Sequence, residues 1–96
     1  MRYDVPIDVY EEFGSDLFDL SGRAQAEVEE LLKKLAVNPY DPAIQRKCSL
    51  HGERFEYPLS DGHSVIWKVE VYEGSILKMR VLVSDIKLRR RNQWTF

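Results

Sequence analysis

From Phe55 to Ile86 apolar and charged residues alternate with a period of two, in two successive runs. Val65, Trp67, Val69 and Val71 share one parity against Lys68, Glu70 and Tyr72, and Leu77, Met79, Val81 and Val83 do the same against Lys78, Arg80 and Ser84. Side chains of a strand point to opposite faces in turn, so the pattern predicts a sheet buried on one side only. A shorter run, Phe55, Tyr57 and Leu59 against Arg54 and Glu56, predicts a strand over 53–59 that follows a turn at His51-Gly52. Ser60-Asp61-Gly62 and Glu73-Gly74-Ser75 carry the chemistry of tight turns, which makes strands 53–59, 63–72 and 76–86 an antiparallel three-stranded meander.

The first half follows other periods. Residues 2–9 alternate Tyr3, Val5, Ile7 and Val9 with Asp4, Pro6 and Asp8; a proline has no N–H for a ladder, so this strand belongs at a sheet edge. Tyr10 to Leu20 offers Phe13, Leu17 and Leu20 at helical spacing, interrupted by Gly14. Ser21 then caps a second helix whose Ala24, Val28, Leu31, Leu32 and Leu35 form one apolar stripe, with acids toward its start and lysines toward its end as the helix dipole prefers. Asn38-Pro39 and Asp41-Pro42 stop it, because a proline disfavours helical geometry in the residue before it. Tyr40 to Leu50 reads as a connecting segment. The fold class expected is α+β: an N-terminal strand, a two-helix hairpin, then the meander, with the helices packed on one sheet face.

Ninety-six residues suit one domain over 1–96 with one core. The lone Cys48 excludes an internal disulfide and fits a reducing compartment, and no charged-then-apolar leader or membrane-length apolar run is visible, so a cytoplasmic location and no membrane partner are expected. Net charge is −2, but residues 1–45 hold four Lys or Arg against ten Asp or Glu, whereas residues 46–96 hold ten against six. An acidic and a basic side follow if the halves fold together. The densest basic cluster, Lys87, Arg89, Arg90 and Arg91, suits phosphate and equally suits a solvated terminal run.

On the sheet's polar face Arg54, Lys68, Lys78 and Arg80 are candidates to converge on an anion; Glu56 and Glu70 share that parity, so cross-strand ion pairs account for the same pattern. His51 and His63 are the only histidines, and imidazole exchanges protons near neutrality. With Cys48 they lack the spacing of a zinc site; no glycine-rich loop opens a helix, and no G-x-S-x-G elbow exists. No cofactor or metal is expected.

Ala24-Gln25-Ala26-Glu27-Val28 through Leu31-Leu32-Lys33-Lys34-Leu35-Ala36 to Asn38-Pro39, followed by His51-Gly52-Glu53-Arg54-Phe55-Glu56-Tyr57-Pro58-Leu59-Ser60-Asp61-Gly62-His63-Ser64-Val65-Ile66-Trp67-Lys68-Val69-Glu70, resembles the RelE/ParE superfamily of bacterial toxin–antitoxin systems. The likeness spans about residues 3–91. It implies a toxin held by a cognate antitoxin protein. RelE-like members are mRNA interferases: they cut messenger RNA at the ribosome without metal, through attack of the ribose 2′-hydroxyl on the adjacent phosphate, and so inhibit translation. ParE-like members of the same fold poison DNA gyrase instead; a catalytically silent, protein-binding member and, apart from the resemblance, a stand-alone structural domain are further alternatives.

RNA cleavage needs a proton acceptor, a proton donor and cations at the phosphate. The resemblance matches Arg54 to the basic residue early in the family's second strand, and parity sets Arg80 and Lys68 on the same face; Arg54 and Arg80 are the catalytic candidates, with His51 and His63 near places where some members use histidines as acid and base. Lys68, Lys78, Lys87, Arg89, Arg90, Arg91 and Trp94 are implied RNA- or phosphate-binding residues, the indole by stacking on a base. The chain departs from the pattern at Ser64, where many ribonuclease members carry arginine, and at its closing segment, where Trp94 and Phe96 replace a terminal tyrosine.

Overall fold

A computed structural model describes residues 5–71 and 79–88. The predicted turn at 73–75, together with Lys78, Arg89, Arg90, Arg91 and Trp94, lies outside the described residues. The elements are β1 (Ile7–Val9), α1 (Phe13–Phe18), α2 (Gly22–Val37), α3 (Pro42–Gln45), β2 (Ser49–His51), β3 (Arg54–Pro58), β4 (His63–Val71) and β5 (Met79–Leu88). They form an α+β fold around a five-stranded mixed sheet in the order β1-β5-β4-β3-β2. β2 through β5 pair antiparallel, and β1 lies parallel to β5 at the far edge. Pro6 immediately precedes β1, and its carbonyl accepts from Val81 N–H at 2.9 Å. The strand expected over 2–9 covers only Ile7–Val9 among the described residues, and the proline stands before it rather than inside it, so the ladder asks no N–H of it.

The odd-numbered Phe55, Tyr57, Val65, Trp67 and Val69 of β3 and β4 turn toward the helices, as the alternation predicts, but Val71 at the end of β4 is exposed. Val65 and Trp67 are fully buried, and the α2 stripe of Ala24, Val28, Leu31 and Leu35 closes over them with Leu20 and Ile44. Trp67 is the largest wholly buried side chain; Phe55 stacks on it at a ring separation of 5.6 Å. The α2 start is capped as expected, Ser21 Oγ accepting from Ala24 N–H at 3.1 Å. A second tie holds this end to the β3–β4 turn: Ser60 donates twice to Glu27 Oε1, each bond 2.9 Å.

Three further expectations need correction. The first helix covers only Phe13–Phe18, with Gly14 inside it and Leu20 beyond it. The segment 40–50 is not a bare connection: it holds α3, with Pro42 in its first turn and Asp41 as its cap, and β2, which extends the meander to four strands. The third concerns parity. Between Ile66 and Trp67 the β4–β5 register shifts, so Ile66 faces Asp85 while Trp67 faces Val83, and Ser84 is the extra residue of a bulge. Past that point the faces of β5 exchange, and Ile86, on the polar parity of the sequence pattern, is buried. No helix among the described residues is long and apolar enough to cross a membrane.

Candidate functional site

Strand register decides which polar side chains meet. His51 pairs with Arg54 across β2 and β3, and Arg54 pairs with Lys68 across β3 and β4. Directly opposed residues of an antiparallel pair share a face, so His51, Arg54 and Lys68 form one row across three strands, on the side away from the helices. The turn that starts the row is built on Gly52, whose φ of +64° suits glycine. Two residues along the sheet, on the same face, lies a second row, Ser49, Glu56, Ile66 and Asp85.

Arg54 is exposed and makes no ion pair among the described residues. Lys68 Nζ lies 3.7 Å from Glu70 Oε2. Glu53, Lys68, Val69, Glu70 and Val71 line a shallow, open and mainly polar depression beside the row. Arg80 stands opposite Glu70, two residues along the sheet from the row, and its Nε lies 3.1 Å from Asp8 Oδ2 on β1. Strand spacing puts its backbone about 12 Å from that of Arg54, with Lys68 between them. Of the four cations expected to converge, the three that are described share one face, but Arg80 is drawn toward the β1 edge. Lys87 is exposed on the same face at the other end of the sheet, opposite Ser64 and four residues along β4 from Lys68, about 13 Å.

The histidines part company. His51 is largely exposed and its Nε2 lies 3.0 Å from Glu56 Oε1, while the Glu56 side chain is only 6% exposed. His63 begins β4 on the helix-side parity, and its Nδ1 lies 3.1 Å from Asp61 Oδ1, a close electrostatic contact without hydrogen-bond alignment. Five residues of strand separate it from Lys68, about 16 Å. The structure therefore does not bring His63 to the row; it belongs to the turn that docks on α2. Burial opposes ionisation of Asp61, but hydrogen bonds from His63 N–H at 3.0 Å and Ser21 N–H at 3.4 Å, with the imidazole beside it, hold its carboxyl below the usual aspartate range.

Ser64 is completely buried although it lies on the outer face, and its hydroxyl has no partner among the described residues. It cannot act on an external phosphate. Cys48 is partly buried, and burial pushes its thiol up to about 11, so the thiolate needed for a nucleophile is scarce at neutral pH. The residue that the sequence pattern undervalues is Glu56. Its parity marks it as solvent-facing, yet it is buried, with Oε1 3.0 Å from His51 Nε2.

No family model, curated protein or solved structure matches this chain.

Proposed function

We propose that the chain is a RelE-like toxin whose outer sheet face binds messenger RNA at the ribosome and cleaves it. The observation that carries this reading is the cross-strand row His51, Arg54 and Lys68. Two permanent cations set directly opposite one another destabilise a sheet unless an anion lies between or over them. A phosphodiester fits that role. Arg54 offers a planar fork of donors to its oxygens and Lys68 a mobile ammonium. His51 accepts the 2′-hydroxyl proton, the 2′-oxygen attacks phosphorus, the bond to the 5′-oxygen breaks, and solvent supplies the proton that completes the 5′-hydroxyl. The edge-strand, helix and meander order also supports the resemblance, with β1 and β2, the edge strands among the described residues, as places for a cognate antitoxin strand to add.

A second reading, a ParE-like or catalytically silent member that binds gyrase or another protein, draws support from the buried Ser64 and from the pairing of Arg80 with Asp8. Induced expression separates the two when incorporation of labelled amino acid and of thymidine are followed together. The ribonuclease reading requires amino-acid incorporation to stop first and Arg54→Ala to restore it with the protein still folded. Early loss of thymidine incorporation with translation intact overturns it in favour of the second.

A further inference from the structure

We infer that Glu56 is a positioning residue that fixes the proton of His51 on Nε2 and so leaves Nδ1 as the proton-accepting atom. The inference rests on the ribonuclease reading for its chemical purpose, but its geometry stands apart from it.

A carboxylate on the outer face of a sheet ordinarily reaches water. Glu56 does not: it is nine-tenths buried on β3, flanked in its row by Ser49 and Ile66, and Oε1 lies 3.0 Å from His51 Nε2. Burying an ionised carboxylate costs several kcal/mol unless a donor meets it, on the order of the penalties seen for buried charges in general. The imidazole is close enough to be one: an N–H on Nε2 would meet Oε1, whereas a bare Nε2 would set its lone pair against those of the carboxylate. A neutral His51 is then confined to one tautomer, with its free lone pair on Nδ1. The ring is held at the inner end by a buried anchor while most of the side chain stays open to solvent.

The position of this pair matters as much as its geometry. His51 and Arg54 are register partners, and Glu56 lies two residues from Arg54 on the same strand and face. A phosphate held by Arg54 and Lys68 would therefore lie beside the imidazole. A histidine with an unfixed tautomer divides its neutral population between two forms, only one of which presents a lone pair at a given atom. A fixed one presents it always. In the cleavage step Nδ1 takes the 2′-hydroxyl proton, giving an imidazolium whose charge the Glu56 carboxylate meets at Nε2, and that proton then leaves to solvent.

The test is nitrogen NMR of the full chain labelled at histidine, at a pH where His51 is neutral, with His51→Asn to assign the signals. The expected result is a His51 spectrum of the Nε2–H form in the wild type, shifting to a mixture of tautomers or to Nδ1–H in Glu56→Gln, whose amide can donate to Nε2. A mixed or Nδ1–H spectrum in the wild type overturns the inference. So does a Glu56→Gln spectrum unchanged from wild type. Ribosomal cleavage of messenger RNA provides the second arm: Glu56→Gln should lose at least tenfold in rate, and should lose nothing further when made in a His51→Ala background. Additive losses overturn the positioning role. If the wild type shows the Nε2–H form yet cuts no RNA, the proposed function fails while the anchored histidine stands.

Discussion

Arg54 and Lys68 stand directly opposite one another on the outer face of β3 and β4. Like charges in that relation cost stability, typically about 0.2–1 kcal/mol, and Glu70 beside Lys68 relieves part of it. Arg54→Ala should therefore leave the unfolding free energy unchanged or raise it by up to about 1 kcal/mol, while binding of an oligoribonucleotide weakens and its salt dependence becomes shallower by about one phosphate contact. Urea unfolding and binding titrations across a salt series check both halves. A variant that loses stability would show that the arginine holds the sheet together.

Tyr10 links the first helix to the last strand: its hydroxyl donates to Asp16 Oδ2 at 2.6 Å and accepts from Ile86 N–H at 3.1 Å. Burial, together with the neighbouring Asp16, strongly raises its pKa, so the phenol stays a donor throughout the ordinary range. Tyr10→Phe leaves both partners without it, at a cost of about 1–3 kcal/mol. Equilibrium unfolding measures this, and a loss below about 0.5 kcal/mol would mean that water replaces the hydroxyl without penalty.

Asp61 ties acid sensitivity to the β3–β4 turn. Its folded carboxyl is depressed below the unfolded value, so the unfolded chain binds more protons in that window and stability must fall as pH falls. The contribution is complete above the ordinary aspartate pKa of about 3.9 and is lost as pH drops through the lower folded value. Asp61→Asn removes that dependence. Urea midpoints of wild type and variant should converge as pH is lowered from about 5 to about 3; a constant gap between them would contradict the assignment.

Cys48 should be slow to alkylate. With the thiol pushed up to about 11, well under about one in a thousand molecules is thiolate at neutral pH. Iodoacetamide should label the urea-unfolded chain much faster than the folded one. Equal rates would place Cys48 in solvent.

The α2 cap and stripe were legible because each depends on residues within a few positions: Ser21 reaches Ala24, and Val28, Leu31 and Leu35 return to one side of a helix by its own period. The alternation in β3 and β4 was legible for the same reason. β2 was not, since three residues, Ser49 to His51, are too few to establish a period. The bulge at Ser84 was hidden as well. It exists only relative to β4, and it moved Ile86 into the core against the parity of its own strand.

Taken alone, the chain of residues determined which side chains of β3 and β4 turn toward the helices, where α2 begins and ends, and that basic residues would crowd the opposite face. Tertiary structure decided which of those residues became neighbours. Pairing between strands put His51 beside Arg54 and Arg54 beside Lys68, sent Arg80 toward Asp8, left His63 at the docked turn and set the buried Glu56 against the imidazole. Periodicity reports a face because it is a property of one segment, whereas register, bulges and the burial of a polar group are set by segments that meet only when the chain is folded.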